Sequence, residues 1–183
     1  MAKSKGTNLL HMRGYVLSTY GPEAWENVVR SLSKEDAQAV LELTSVGWYD
    51  VDLQLRLLRA IDRVLGTGDL RLIPSMARYE AEKDLTGAHR LFARMANPGY
   101  LLEKSGDYWR RFYDTGRWEV ARSGDSATGT LLDFAVADKA FCFYLGSYIQ
   151  RMFQFAGAKH ISVDHPKCRA NGDRVCLFAG SWK

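Results

Sequence analysis

Apolar residues recur at helical spacing through the first half of the chain and alternate with polar ones in two later stretches. The strongest helical run is residues 49–65, where Val51, Leu55, Leu58, Ile61 and Leu65 share one face and Gly66 supplies the stop. Residues 22–32 place Ala24, Val28 and Leu32 in the same way, with Pro22 in the first turn. Ser33, with Asp36 three residues on, reads as the cap of a further helix ending near Leu43. Residues 1–8 are expected to be a flexible leader, and residues 9–18 an extended entry into the fold. Helical patterning resumes over residues 70–95, Asn97-Pro98-Gly99 closes it, and residues 100–113 mix helix with aromatic loop.

Beyond residue 113 the period changes. Residues 118–122 and 128–134 alternate as strands around a Ser-Gly-Asp-Ser turn. Asp138 then caps an apolar helix over residues 140–155, closed by Gly157. Two further strands, residues 160–168 and 174–181, flank Asn171-Gly172-Asp173. The fold class that follows is α+β: an N-terminal helical layer packed on a four- to five-stranded antiparallel sheet, since one apolar sheet face has to be covered. Residues 9–183 read as a single domain, with residues 138–183 as its cysteine-bearing subregion.

Composition narrows the function. The charge of +4 is scattered and no run of five basic residues occurs, so direct nucleic-acid binding is not expected. No apolar stretch approaches the roughly 18 residues of a membrane span, and the N-terminus has no signal-peptide core, so a cytoplasmic location is expected. There the three cysteines would be thiols or metal ligands. Five Trp, nine Tyr and eight Phe are enough to fill a core or to wall an apolar pocket.

All three cysteines converge with one histidine on the C-terminal hairpin. A three-residue loop at 171–173 would set Cys168 opposite Cys176, and the bend at Pro166 would swing His165 toward the same point. Cys142 lies at the start of the helix that must pack on this sheet. Three thiolates and an imidazole make a closed tetrahedral set for a structural zinc ion. A Cys168–Cys176 disulfide, or three free thiols, are the alternatives.

At these residues the chain resembles the 4-vinyl reductase domain family. The likeness lies in Cys142, a 22-residue gap, His165, two residues, Cys168, seven residues, Cys176 and a terminal Trp182. The spacing is similar to that of the zinc-bearing sensor domains of phenol- and toluene-responsive activators, with His165 where those domains carry an acidic residue. The wider superfamily that it resembles includes haem-nitric-oxide-binding domains and vesicle-trafficking tether subunits. The resemblance implies helices over an antiparallel sheet with an apolar cavity between them, and a homodimer; the phosphate loop and AAA+ module of those activators do not occur in this sequence, so output through a regulatory protein partner is expected.

On that basis the ligand pocket is expected at Trp109, Phe112, Trp118, Phe134, Tyr144 and Tyr148, flanked by Phe143, with His89 as a polar contact. The function expected is sensing of a small hydrophobic, possibly aromatic, molecule by a zinc-stabilised domain. A scaffold without ligand is one alternative. A haem-based gas sensor is another, with His89 as axial ligand and Tyr113-Asp-Thr115-Gly-Arg117 as a loose propionate-binding motif. No enzyme is expected, because no phosphate loop, dinucleotide fingerprint or nucleophile elbow occurs.

Overall fold

The computed structural model of the protein describes residues 1–85 and 97–183. Strand β1 (Lys3–Lys5) pairs antiparallel with β2 (Trp48–Asp50), Ser4 opposite Tyr49. The expected leader over residues 1–8 is therefore built into the fold: Ala2 and Ser4 are buried, and the Val51 amide donates to the Ala2 carbonyl at 2.9 Å. Helix α1 (Gly6–Tyr20) replaces the extended segment expected over residues 9–18. Leu9, Met12 and Val16 step by three and four and are all but fully buried, a helical stripe that the short window had hidden.

Helices α2 (Pro22–Arg30), α3 (Lys34–Leu41) and α4 (Val51–Leu65) follow the sequence pattern. Ser33 caps α3 by accepting from the Asp36 amide at 3.1 Å. Leu57, Leu58 and Ile61 of α4 are fully buried. Helix α5 (Ile73–Asp84) is next. Asn97-Pro98-Gly99 starts a helix instead of ending one: Asn97 accepts from the Tyr100 amide at 3.0 Å, and Pro98 fills the first position of α6 (Pro98–Phe112).

The second half forms one antiparallel sheet in the order β3-β4-β6-β5, from β3 (Arg117–Ser123), β4 (Ser126–Leu132), β5 (Ser162–Lys167) and β6 (Cys176–Ser181). Its inner face carries every second residue: Trp118 and Val120, then Ala127, Gly129 and Leu131, then Cys176 and Phe178. The register of β5 shifts between Asp164 and Lys167, around Pro166, which has no amide proton for the ladder.

Helix α7 (Lys139–Phe155) lies between the layers, with Asp138 accepting from the Ala140 amide at 2.8 Å as its cap. One face of α7 meets β5 and β6, and another runs along α5. This is where its surplus apolar side goes. Helix α6 covers β3, while α1, α2 and α4 complete the outer layer. No helix among the described residues is long and apolar enough to cross a membrane.

Candidate ligand cavity and thiol cluster

A cavity of about 130 Å³ opens between α6, α7 and the inner face of the sheet. Trp109 and Phe112 wall it from α6, Tyr144 and Tyr148 from α7, and Trp118 and Phe178 from the sheet. Trp109 stacks on Tyr113 at 4.5 Å and lies nearly parallel to Trp118 at 6.3 Å. Five of the expected pocket residues thus meet at one space. Phe134 stands behind the wall, edge-on to Trp109 at 5.1 Å and fully buried. Phe143 is 53% exposed, because α7 turns that position away from the sheet. His89 lies outside the described residues.

One end of the cavity is polar, and the sequence reasoning missed it. Asn8 of α1 and Glu80 of α5 line the wall, and the Asn8 Oδ1 and Glu80 Oε2 atoms are buried with no hydrogen-bond partner. Tyr148 donates to Asp84 Oδ2 at 2.7 Å. Burial pushes the Glu80 carboxyl well above the ordinary carboxylate range, Asp84 to about 6, and the Tyr144 and Tyr148 hydroxyls up as well. Burial, assisted by the Lys83 charge, lowers His11 to about 4. The available signal was a Glu-x-x-x-Asp pair one helical turn apart inside an otherwise coverable helix, which single-residue hydropathy does not distinguish from a solvated face.

The structure also brings the four expected metal ligands together. Cys142 Sγ lies 3.7 Å from Cys168 Sγ and 3.9 Å from Cys176 Sγ, and with His165 the donor atoms all fall within 4.8 Å of one another. All three cysteines are buried free thiols, so no Cys168–Cys176 disulfide forms. Cys168 leaves the β5 ladder just after Lys167, which pairs with Leu177, and the chain returns through a 3-10 turn with Gly172 left-handed at φ 99°. His165 stacks on Phe178 at 4.2 Å, and its Nε2 is buried without a partner. The hydrogen bond between them lowers the Cys176 thiol and raises that of Cys142. Four such donors form a set that could hold a metal ion.

No protein-family model and no curated protein matches the chain. Solved structures do match. An H-NOX protein from S. oneidensis in the Fe(II)NO ligation state is 11% identical, with 98% of this chain and 99% of that chain covered and a TM-score of 0.75. The Fe(II) unliganded H-NOX protein from K. algicida is 14% identical, with 98% and 96% covered and a TM-score of 0.72. An oxygen-binding H-NOX domain related to soluble guanylate cyclases is 15% identical, with 97% and 92% covered and a TM-score of 0.67. At these identities the match defines the fold. It is the fold that these H-NOX structures share, while the 4-vinyl reductase assignment stays a resemblance.

The expectation of structural zinc is corrected by these matches. The neighbours are named for Fe(II) ligation states and, in one further case, for haem redox potential, so the cofactor that accompanies this fold in them is haem. The thiols already have partners in the helix–hairpin seam: each other, and the Arg169 amide on Cys176 Sγ at 3.4 Å. The physical reason for the error is that closely spaced buried cysteines read the same whether a seam or an ion gathers them.

The described residues meet the needs of haem only in part. Aromatic rings wall an apolar space, and Thr115 Oγ1, between Tyr113 and Arg117 in the chain, is buried without a partner. The Arg117 guanidinium is 60% exposed and pairs with Glu119, and no cationic residue stands on the described cavity wall. That wall also carries no His or Cys, and its space is small beside the roughly 300–1,000 Å³ of typical ligand pockets. Among the described residues alone, a haem site is therefore incomplete.

Proposed function

We propose that this chain is a ligand-binding sensor domain in which occupancy of the cavity between α6, α7 and the sheet is the signal. The observation that carries this reading is the cavity itself: an aromatic-walled space with one polar end, at the junction of the helical layer and the sheet. The likeness to an H-NOX protein solved in the Fe(II)NO ligation state and to an oxygen-binding H-NOX domain supports a haem-bound gas as the signal over an aromatic molecule sensed by a zinc-stabilised domain. His89 and the stretch from Tyr113 to Arg117 are where that assignment stands or falls in this chain. A small apolar molecule binding directly is the second reading, favoured by a described wall that offers rings and neither His nor Cys. Both readings are non-enzymatic, with output through a regulatory partner and a homodimer as the working assembly.

The test is the absorbance spectrum of the full chain after expression with haem precursor, followed by thermal melts with toluene. An intense Soret band that shifts with carbon monoxide and is lost in His89→Ala supports haem. No band, with a melting temperature raised by toluene in the wild type but not in Val120→Phe, supports direct binding. The absence of both responses would remove the sensor reading.

A further inference from the structure

We infer that His11, Glu80 and Asp84 form a site for a first-row divalent metal ion at the polar end of the cavity, separate from the cysteine cluster. Glu80 and Asp84 stand one turn apart on α5, and His11 faces them from α1, which packs along the same helix. One donor atom from each residue lies within 4.8 Å of the others. His11 Nδ1 and Asp84 Oδ1 are 3.5 Å apart. Metal–donor bonds of about 2.0–2.2 Å place neighbouring ligand atoms about 3 Å apart, so side-chain shifts of an ångström or so close this set on an ion.

Two independent features point to an occupant. Glu80 is only 3% exposed, and its Oε2 has no hydrogen-bond partner; His11 Nδ1 is also buried without one. Buried polar atoms left without a partner in an apolar interior are costly, and a cation bound by Glu80 and His11 satisfies both at once. The hydroxyl of Tyr148 donates to Asp84 Oδ2 at 2.7 Å, which fixes that carboxylate and leaves Oδ1 turned to His11. Held carboxylates of this kind are what outer-shell groups provide around metal ligands.

One imidazole and two carboxylates suit Mn²⁺, Fe²⁺ or Co²⁺ and do not select a thiophilic ion. Three protein donors leave coordination positions open. Glu80 lines the cavity and so does Asn8, whose Oδ1 is buried and unpartnered, so those positions face the space where a ligand would sit. The site does not depend on the sensor reading, and each can fail alone.

The test is titration of the chelator-treated full chain with Mn²⁺, read as loss of the free-ion paramagnetic resonance signal. One Mn²⁺ per chain is expected, together with a rise in melting temperature. Binding should weaken by more than about tenfold in Glu80→Gln and in His11→Gln, and stay unchanged in Cys168→Ser. Asp84→Asn is the further variant should either of the first two lose its circular dichroism. The inference is overturned if neither Mn²⁺ nor Co²⁺ binds the folded wild type. It is equally overturned if binding survives in the folded variants, or moves with Cys168→Ser.

Discussion

Trp118 lies across Gly129 so closely that a side chain at Gly129 would collide with the indole ring. The two residues sit on paired strands, Trp118 opposite Leu131 and Gly129 opposite Val120, so the indole crosses to the neighbouring strand where no side chain stands. Gly129→Ala must push the ring off its place in the cavity wall. We expect a loss of about 1–3 kcal/mol in urea unfolding and a shifted tryptophan emission maximum. Unchanged emission at wild-type stability would show that the wall adapts freely.

Asp138 ties three parts of the chain together. It caps α7, and both of its carboxylate oxygens accept from Arg59 of α4, at 2.8 and 2.9 Å. Asp138→Ala should cost about 1–2 kcal/mol, chiefly from the cap. Arg59 is 40% exposed at its side chain, so Arg59→Met should cost less, and a double-mutant cycle should return a coupling below about 1 kcal/mol. Equal losses for the two single variants would contradict this ordering.

The Arg56 guanidinium donates to both oxygens of Asp36 and holds that carboxyl below its ordinary value. A carboxyl whose folded value is depressed stabilises above its unfolded value of 3.8, and that stabilisation is lost as the pH falls through the folded value. The Arg56 side chain is 53% exposed, so solvent screens the pair and it contributes at most about 1 kcal/mol. The stability gap between wild type and Arg56→Met should therefore be small at pH 7, begin to shrink near pH 3.8 and vanish only below the depressed folded value. A gap that grows on acidification would reverse the sign.

Leu58 is fully buried in α4, whereas Leu41 at the end of α3 is 57% exposed. Leu58→Ala should cost about 2–5 kcal/mol and Leu41→Ala less than about 0.5 kcal/mol by denaturant unfolding. Comparable losses would mean that Leu41 is covered in solution.

Much of the fold was legible because its signals are local. The α4 stripe, the Ser33 and Asp138 caps and the alternation of β3, β4 and β6 each appear within a dozen residues. Helix α1 was not legible, because its stripe through Leu9, Met12 and Val16 is short and its covering partners lie far along the chain. Asn97-Pro98-Gly99 has the composition of a stop, and only its environment makes it a start. At the site, aromatic residues announced the cavity wall, while the polar end comes from α1 and α5, which neither periodicity nor motif connects. The cysteines and His165 do lie together in the fold, but their convergence does not name what gathers them.

The central claim is that the cavity holds a ligand. Native mass spectrometry of the full chain purified from its host, wild type beside Val120→Phe, addresses it most directly. Val120 is half-buried on the cavity wall, and a phenyl ring there takes up the space. The wild type should carry a non-covalent organic or haem mass that the folded variant lacks. If both proteins fly as bare chains with the same melting temperature, the cavity is ordinary packing space and the sensor reading is contradicted.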